Sequence, residues 1–335
     1  MVRKSVSVII PCYNGEKVIN RSIESVYMQA GEFVIELIVV DDGSTDKSKE
    51  QIDIWIPKFK KKGYKLKYIY QKNQGLGGAI NKGLKYVTGE YLTLLDADDC
   101  FLQNSIKKRA EFLEENLEYV GVRTNGWQDK HGEKKLFEVN ESGKDTNLFD
   151  GLIGGQATNW AGSYMIRTQE LFEVYPTREI YPSRFGQNMQ ILLPLAYKRK
   201  FGFIDEPLMI YYLQDTSHSQ AATPEERKKK EDLNFYGYRD IYLKMLNMIV
   251  KDQKEYNYYL NIIESWKCKH ELQKAIFEKN KKQIRYYLKK YKSTGQMTLN
   301  EEIDFCTEVY PIKVIMLKII RRVGIISGNS RRKRN

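Results

Sequence analysis

The chain has 335 residues, of which 41% are hydrophobic and 29% charged, and a formal net charge of +12. That length holds one large domain or two ordinary ones, and the apolar fraction excludes a disordered chain, a collagen-like repeat and a disulfide-stapled miniprotein. No apolar run reaches the ~18 to 20 residues that span a bilayer, and no secretory core follows Met1-Val2-Arg3-Lys4, so a cytoplasmic protein is expected.

The predicted elements alternate along the first hundred residues. Ser5 to Ile10 reads as a strand, and Glu16 to Met28 as a helix with Val18, Ile19, Ile23, Val26 and Tyr27 at helical spacing. Glu36 to Val40 is a second, β-branched strand; a helix from about Ser44 to Phe59 follows, with Ile52, Trp55, Ile56 and Phe59 on one face. A strand at Lys67–Tyr70, a helix from Leu76 to Val87, a strand at Tyr91–Leu95 and a helix from about Asn104 complete the pattern. Strands and helices at this pitch predict a parallel sheet covered on both faces, with ligands bound at the carboxyl ends of its strands beside a switch point.

Beyond about residue 120 the pattern loosens, with glycine-rich loops from Gly151 to Gly162, and from Pro224 onward the signal is helical. The expected boundaries give a domain at 1–222, with a donor half to about 100 and an acceptor half at 101–222. A helical subdomain at 223–310 and a tail at 311–335 follow. Charge follows the same divisions: residues 1–222 are net neutral, 223–310 carry +4 and 311–335 carry +8 with no acid.

Polar clusters end the predicted strands: Pro11-Cys12-Tyr13-Asn14-Gly15-Glu16, Asp41-Asp42-Gly43-Ser44 and Asp96-Ala97-Asp98-Asp99. Three carboxylates in four positions suit a hard divalent cation, Mn2+ or Mg2+, which commonly shares its shell with substrate phosphates; helix capping is the plain alternative. The Asp-Asp-Gly-Ser segment has a stronger plain alternative, a turn followed by an N-cap. No G-x-G-x-x-G follows the first strand, which disfavours a dinucleotide-dependent dehydrogenase. Cys12, Cys100, Cys268 and Cys306, with three histidines, lack zinc-site spacing and read as reduced thiols.

Four segments together resemble the family 2 glycosyltransferases: Val8-Ile9-Ile10-Pro11-Cys12-Tyr13-Asn14, Ile38 to Asp46, Asn73 to Gly83 and Thr88 to Asp99. Order and spacing agree over about the first 100 residues, and a weaker similarity continues through Gly162 to Arg167 toward residue 220. The resemblance implies a GT-A fold, that is, a Rossmann-like, mixed but mainly parallel sheet flanked by helices, here with a C-terminal helical subdomain. It implies a nucleotide-sugar donor, UDP-sugar above all, with Pro11, Tyr13 and Asp42 at the nucleobase and Asp96 toward the ribose or the metal. Asn14, Glu16, Asp41, Asn73, Gly78 and Ala97 belong to the same donor set. Asp98 is the implied ligand of the cation, joined by Asp96 and by His218, which reads equally as an exposed loop histidine.

Two departures stand out. Ile80 occupies a position where the family usually has Arg. The stretch Ser183 to Gln190, where inverting members place a catalytic carboxylate, offers only Gln187 and Asn188, which orient a hydroxyl but take no proton. Asp150, Glu179 and Asp215 are the other candidates for a base. With no Gln-x-x-Arg-Trp motif and no membrane span, a non-processive, inverting transferase acting on a lipid-linked or cell-surface glycan is expected. A non-catalytic nucleotide-sugar or glycan-binding partner in a glycosyltransferase complex is the alternative. The tyrosines and tryptophans from Tyr236 to Tyr291 read as packing, and Arg227-Lys228-Lys229-Lys230, flanked by acids, as a solvated helix face.

In the tail, Val309, Ile312, Ile315, Met316, Ile319, Ile320, Val323 and Ile326 share one side of a helical wheel and Lys313, Lys318, Arg321 and Arg322 the other. Residues 309–335 are therefore expected to lie on an anionic membrane, placing the protein on the inner face of the cell membrane. Packing on the helical subdomain or in a homo-oligomer is the alternative. Nucleic acid is not expected as a partner, because the charge sits at one end.

Overall fold

A computed structural model describes residues 4–137, 147–213 and 223–306. The chain divides into two compact units, up to Met245 and from Leu246. The division falls later than the boundary expected at 222. The reason is packing within the first unit: a Cβ on Gly237 would meet the ring of Phe185, one on Gly186 would meet Ile241, and Tyr242 bonds to Leu152.

Among the described residues, the first unit is built on a nine-stranded sheet. β1 (Lys4–Cys12), β2 (Phe33–Asp41), β3 (Lys65–Tyr70) and β4 (Tyr91–Leu94) run parallel in the order β3-β2-β1-β4, so the chain reverses its direction of travel across the sheet between β1 and β4. Val6, Val8, Ile10, Ile35, Leu37 and Val39 are fully buried, as strands covered on both faces require, and each contributes about 1.5 to 3 kcal/mol through burial. Glu36 is buried among them because one of its oxygens accepts from the Ser7 hydroxyl and from both the amide and hydroxyl of Thr88, at 2.8 to 3.0 Å.

The intervening helices are α1 (Ile19–Tyr27), α2 (Ser48–Asp53), α3 (Ile56–Lys62) and α4 (Gly75–Leu84). The helix expected over 44–59 is thus two helices. Pro57 lacks the amide and clashes with the preceding turn, so it serves only in the first turn of a new helix.

The sheet continues antiparallel through β8 (Tyr164–Arg167) to β6 (Tyr119–Lys130), which pairs parallel with β9 (Lys200–Tyr212); β5 (Cys100–Phe101) is antiparallel to β9, and β7 (Glu133–Leu136) is antiparallel to β6. α5 (Ser105–Glu115), α6 (Leu148–Ile153), α7 (Thr168–Val174) and α8 (Gln187–Ala196) complete the α/β part.

α9 (Pro224–Ile249), α10 (Gln253–Phe277), α11 (Lys281–Ser293) and α12 (Leu299–Cys306) follow with no strand among the described residues. The second unit has its own core of Cys268, Leu272, Ala275, Ile284, Leu288, Tyr291 and Ile303. No described helix is long and apolar enough to cross a membrane. The tail from 307 lies outside the described residues.

Candidate active site

β1, β2 and β4 end on one edge, and the polar clusters of β1 and β2 meet there through a dense set of contacts. Asn14 has a left-handed backbone (φ 50°) that turns its side chain toward the next loop. Its Oδ1 accepts from the Thr45 amide at 2.9 Å, and its own amide donates to the Ser44 hydroxyl at 2.9 Å. Glu16 gives its amide to Asp46 and accepts from the Lys47 amide at 3.3 Å. Pro11 is half-buried beside Tyr13, whose ring stands 51% exposed over this edge.

Asp41 and Asp42 are both buried, and neither caps a helix: α2 starts at Ser48, after Lys47. Asp41 closes the turn, accepting from the Ser44 amide at 2.8 Å with one oxygen and from the Tyr68 hydroxyl at 2.7 Å with the other. Asp42 Oδ1 accepts from Gln71 Nε2 at 2.7 Å and the Gln74 amide at 2.8 Å, which ties β2 to the loop carrying Asn73. Gly43 has φ 82°, and a Cβ there would lie 2.9 Å from the Asn73 amide nitrogen, so the two loops touch only because position 43 is glycine. Gly78 lies on the first turns of α4; Ile80 is buried in the same helix and offers no charge to a ligand.

The carboxylate loop does not cap a helix either. α5 begins after Asn104, without a side-chain cap. The loop is held from below by α1, which sequence reasoning missed. The Ser22 hydroxyl lies 3.1, 2.8 and 2.5 Å from the carbonyl oxygens of Asp96, Ala97 and Asp99. Arg21 donates to the Asp98 carbonyl and stacks 3.4 Å from the centroid of the Tyr212 ring. Ser25 and Gln29 bond the loop further on, at Phe101, Leu102 and Ile106. No local pattern marks this role: Arg21, Ser22 and Ser25 stand on a helix that also carries Asn20 and Glu24, and Gln29 lies past its end.

Electrostatics mark the loop as short of cations. Burial, then the charge of Asp98, pushes Asp96 up to about 7. Burial, then Asp96 and Asp98, holds Asp99 well above the ordinary carboxylate range. Asp99 Oδ1 accepts from the Tyr212 amide at 3.0 Å, while the buried Oδ2 has no hydrogen-bond partner. Among the described residues no three His, Cys, Asp or Glu side chains form a complete metal cage. Mg2+ or Mn2+ placed here would draw on one or two carboxylates and otherwise on phosphate oxygens and water. The raised Asp96 carboxyl and the orphaned Asp99 oxygen are the groups of this loop that suit a cation.

On the other side of the carboxylates stands a tyrosine group that sequence reasoning also missed. Burial and then the charge of Asp96 raise the hydroxyl pKa of Tyr164 and of Tyr238, and burial with the three loop carboxylates pushes Tyr211 up to about 12. Tyr164 donates to Asn188 Oδ1 at 2.8 Å, which ties Asn188 to this tyrosine group. Tyr238 comes from α9, within the span read from sequence as packing, and is 46% exposed. Trp160 stacks on Tyr211 with centroids 5.3 Å apart.

α4 joins the segment before α8 to the loops at the strand ends. A Cβ on Gly77 would lie 2.7 Å from the Ser183 carbonyl, and the Asn81 amide bonds both the amide and carbonyl of Ile180 at 2.8 and 2.9 Å.

The remaining base candidates among the described residues are not gathered here. Gln187 is buried and donates to the Ser183 carbonyl. Glu179 pairs with Lys85 at 2.5 Å, just past the C-terminal end of α4 and away from the carboxyl ends of the strands. Asp150 is exposed on α6 and accepts from Asn147 Nδ2 at 2.7 Å. Asp215 and His218 lie outside the described residues.

A mostly parallel sheet with carboxylates and an exposed aromatic ring at its switch point defines a GT-A type architecture. Residues 7–175 match the family model Glycosyl transferase family 2, and the chain belongs to that family. An uncharacterized glycosyltransferase of Rickettsia bellii is 32% identical over 205 residues, which cover 61% of this chain and 28% of that protein. One of Nostoc sp. is 39% identical over 120 residues, 35% of each chain. The chain thus spans about a third or less of the length of these curated relatives. Among solved structures, S. aureus TarS in complex with UDP-GlcNAc superposes with a TM-score of 0.61 at 20% identity, covering 97% of this chain and 95% of that one. The mannosyltransferase PcManGT of Pyrobaculum calidifontis, in complex with GDP-Man and Mn2+, gives 0.55 at 15% identity over 97% and 87%. At these identities the likeness is one of fold.

Proposed function

We propose that this protein moves a sugar from a nucleoside-diphosphate sugar, a UDP-sugar by preference, to a hydroxyl of a lipid-linked or cell-surface glycan, one sugar at a time and with inversion. The observation that carries the reading is the convergence of Asp96, Asp98 and Asp99 with the ends of β1 and β2 at one switch point. The exposed Tyr13 ring there offers a nucleobase a stacking surface, and Asp42, Asn73 and Gly78 would complete the donor pocket.

A bound Mn2+ or Mg2+ would neutralise charge developing on the departing diphosphate. Asp98 and Asp96 would hold it, with Asp99 behind them. The chain's own residues do the rest: Ser22 and Arg21 fix the loop backbone, and Asn188, itself fixed by Tyr164, orients an acceptor hydroxyl. Trp160, Tyr211 and Tyr238 wall the acceptor side against water.

Calorimetry with UDP and Mn2+ tests this. Wild-type protein is expected to bind UDP in a metal-dependent way, Asp98→Ala to lose that dependence, and Glu225→Ala, exposed at the start of α9, to keep it. Failure of the wild type to bind any uridine, thymidine or guanosine diphosphate with either metal would sink the reading.

A second reading, a non-catalytic nucleotide-sugar binder within a glycosyltransferase complex, is favoured by Asn188 standing where a base is needed. Donor binding with neither transfer nor slow donor hydrolysis would select it. The membrane address of residues 309–335 is a separate part of the proposal. Truncation after residue 308 is expected to weaken binding of the protein to anionic vesicles, and unchanged binding would refute it.

A further inference from the structure

Between Ile54 and Gly89 the chain carries nine lysines and no aspartate or glutamate, so the net neutrality of residues 1–222 conceals a strongly basic stretch. Six of the nine lie on α3 and β3, and β3 is the edge strand of the sheet. Lys58, Lys60, Lys61, Lys65 and Lys67 are exposed, and none makes an ion pair with a described carboxylate. Lys58 and Lys67 lie over the rings of Trp55 and Tyr86, at 4.0 and 4.8 Å, which spreads their stems along the surface.

The basic surface is also apolar. Met28 is 66% exposed, Ile54 53% and Ile56 38%. They belong together in space: the Lys62 ammonium bonds the carbonyls of Tyr27 and Gln29 on either side of Met28, and the Tyr27 ring packs 5.6 Å from Trp55 and 5.5 Å from Phe59. α3 is anchored by the buried Trp55 and Phe59, and every other position from 54 to 62 faces outward.

We propose that this α3 corner is a membrane-docking surface that seats the sheet-bearing unit on an anionic bilayer, independently of residues 309–335. Lysines without acidic partners complement anionic headgroups, and exposed Met and Ile side chains between them enter the acyl boundary, which a purely solvated lysine face has no use for. A polyanion such as nucleic acid would use the lysines and not the apolar side chains.

The test is co-sedimentation of the full chain with vesicles of equimolar phosphatidylglycerol and phosphatidylcholine, against phosphatidylcholine alone and single-stranded DNA. Lys58→Glu, Lys60→Glu and Lys61→Glu together are expected to weaken binding to the anionic vesicles at least tenfold. Three exposed lysines of α11 changed likewise (Lys281→Glu, Lys282→Glu, Lys289→Glu) should cost less than threefold. Met28→Ser with Ile54→Ser should weaken vesicle binding at least threefold at fixed charge and leave DNA binding unchanged. The same losses should appear in a full-length chain whose Arg331, Arg332, Lys333 and Arg334 are changed to Gln, which separates this surface from the tail. UDP binding and the thermal midpoint should be unaltered throughout, so failure here is distinct from failure of the donor site. Should the Glu triple not fold, the Gln triple replaces it, with an expected loss of at least fivefold. Equal losses from the α11 control, no effect of the apolar changes, or a dimer in light scattering that the triple change dissolves would each overturn the proposal.

Discussion

Helices α1 to α8, which flank the sheet, begin without a side-chain cap, whereas α9 to α12 each begin with one. Thr223 and Glu226 bond each other's amides, as do Thr298 and Glu301; Asp252 caps α10 and Asn280 caps α11. The helical region is therefore specified by its neighbours in sequence, and the sheet-bearing region by contacts across tens of residues, such as Gly15 to Ser48, Asp42 to Gln74 and Ser22 to Asp96. Local rules are relaxed where loops must serve a site.

The sharpest way to break this contrast is Arg109. Its guanidinium is fully buried, and burial lowers its pKa; it keeps its proton through bonds to the carbonyls of Ser105, Gly162 and Tyr164 and the hydroxyls of Thr93 and Ser105. Arg109→Leu strands those oxygens and is expected to destabilise the protein by on the order of 4 kcal/mol in urea unfolding. A loss below about 1 kcal/mol would show that α5, β4 and β8 do not depend on this long-range tie.

Cys12 makes the next test, through pH. Burial, with smaller contributions from its neighbours, pushes its thiol up to about 11 from an ordinary value of 9.0. The fold thus favours the protonated thiol. Stability from this group is complete below pH 9 and is lost as pH rises toward 11, by about 2 to 3 kcal/mol in all. Other groups titrate there too, so the measurement is a difference: Cys12→Ala should flatten the decline in unfolding free energy between pH 8.5 and 10.5 relative to wild type. Parallel curves would mean that Cys12 is accessible to water.

How much of this was legible differs by region for the same physical reason. Strand and helix order through β4, the three polar clusters and the helical character after Pro224 follow from periodicity and composition, which are local. The split at Pro57 was legible in principle, since proline cannot continue a helix, but the apolar face from Ile52 to Phe59 masked it. Arg21, Ser22, Tyr164 and Tyr238 were not legible as parts of one site. Each reaches the carboxylate loop from an element remote in sequence, and no local pattern records a partner more than 60 residues away.

Ser22→Ala measures that hidden tie. Freeing the carbonyls of Asp96, Ala97 and Asp99 should cost about 1 to 2 kcal/mol of stability and, because the loop loses its fixed backbone, weaken metal-dependent UDP binding about tenfold. The discriminating result is the second figure: a stability loss with unchanged UDP affinity would make Ser22 a packing residue only.

The smallest expected effect lies on the other side of the comparison. Thr298→Ala removes the hydroxyl that the Glu301 amide donates to at 3.2 Å, and one donor to the Glu301 carboxylate, at the start of α12. A lost N-cap costs about 1 kcal/mol. Because Glu301 also accepts from Lys269 and Tyr291, the change should be felt by α10 and α11 as faster amide exchange around Cys268 and Leu288. UDP affinity should stay as in wild type, since no described contact of Thr298 involves the sheet. A drop in UDP affinity as large as that of Ser22→Ala would mean that the helical region is coupled to the donor site, and the division between a locally specified and a long-range specified region would fail at its function.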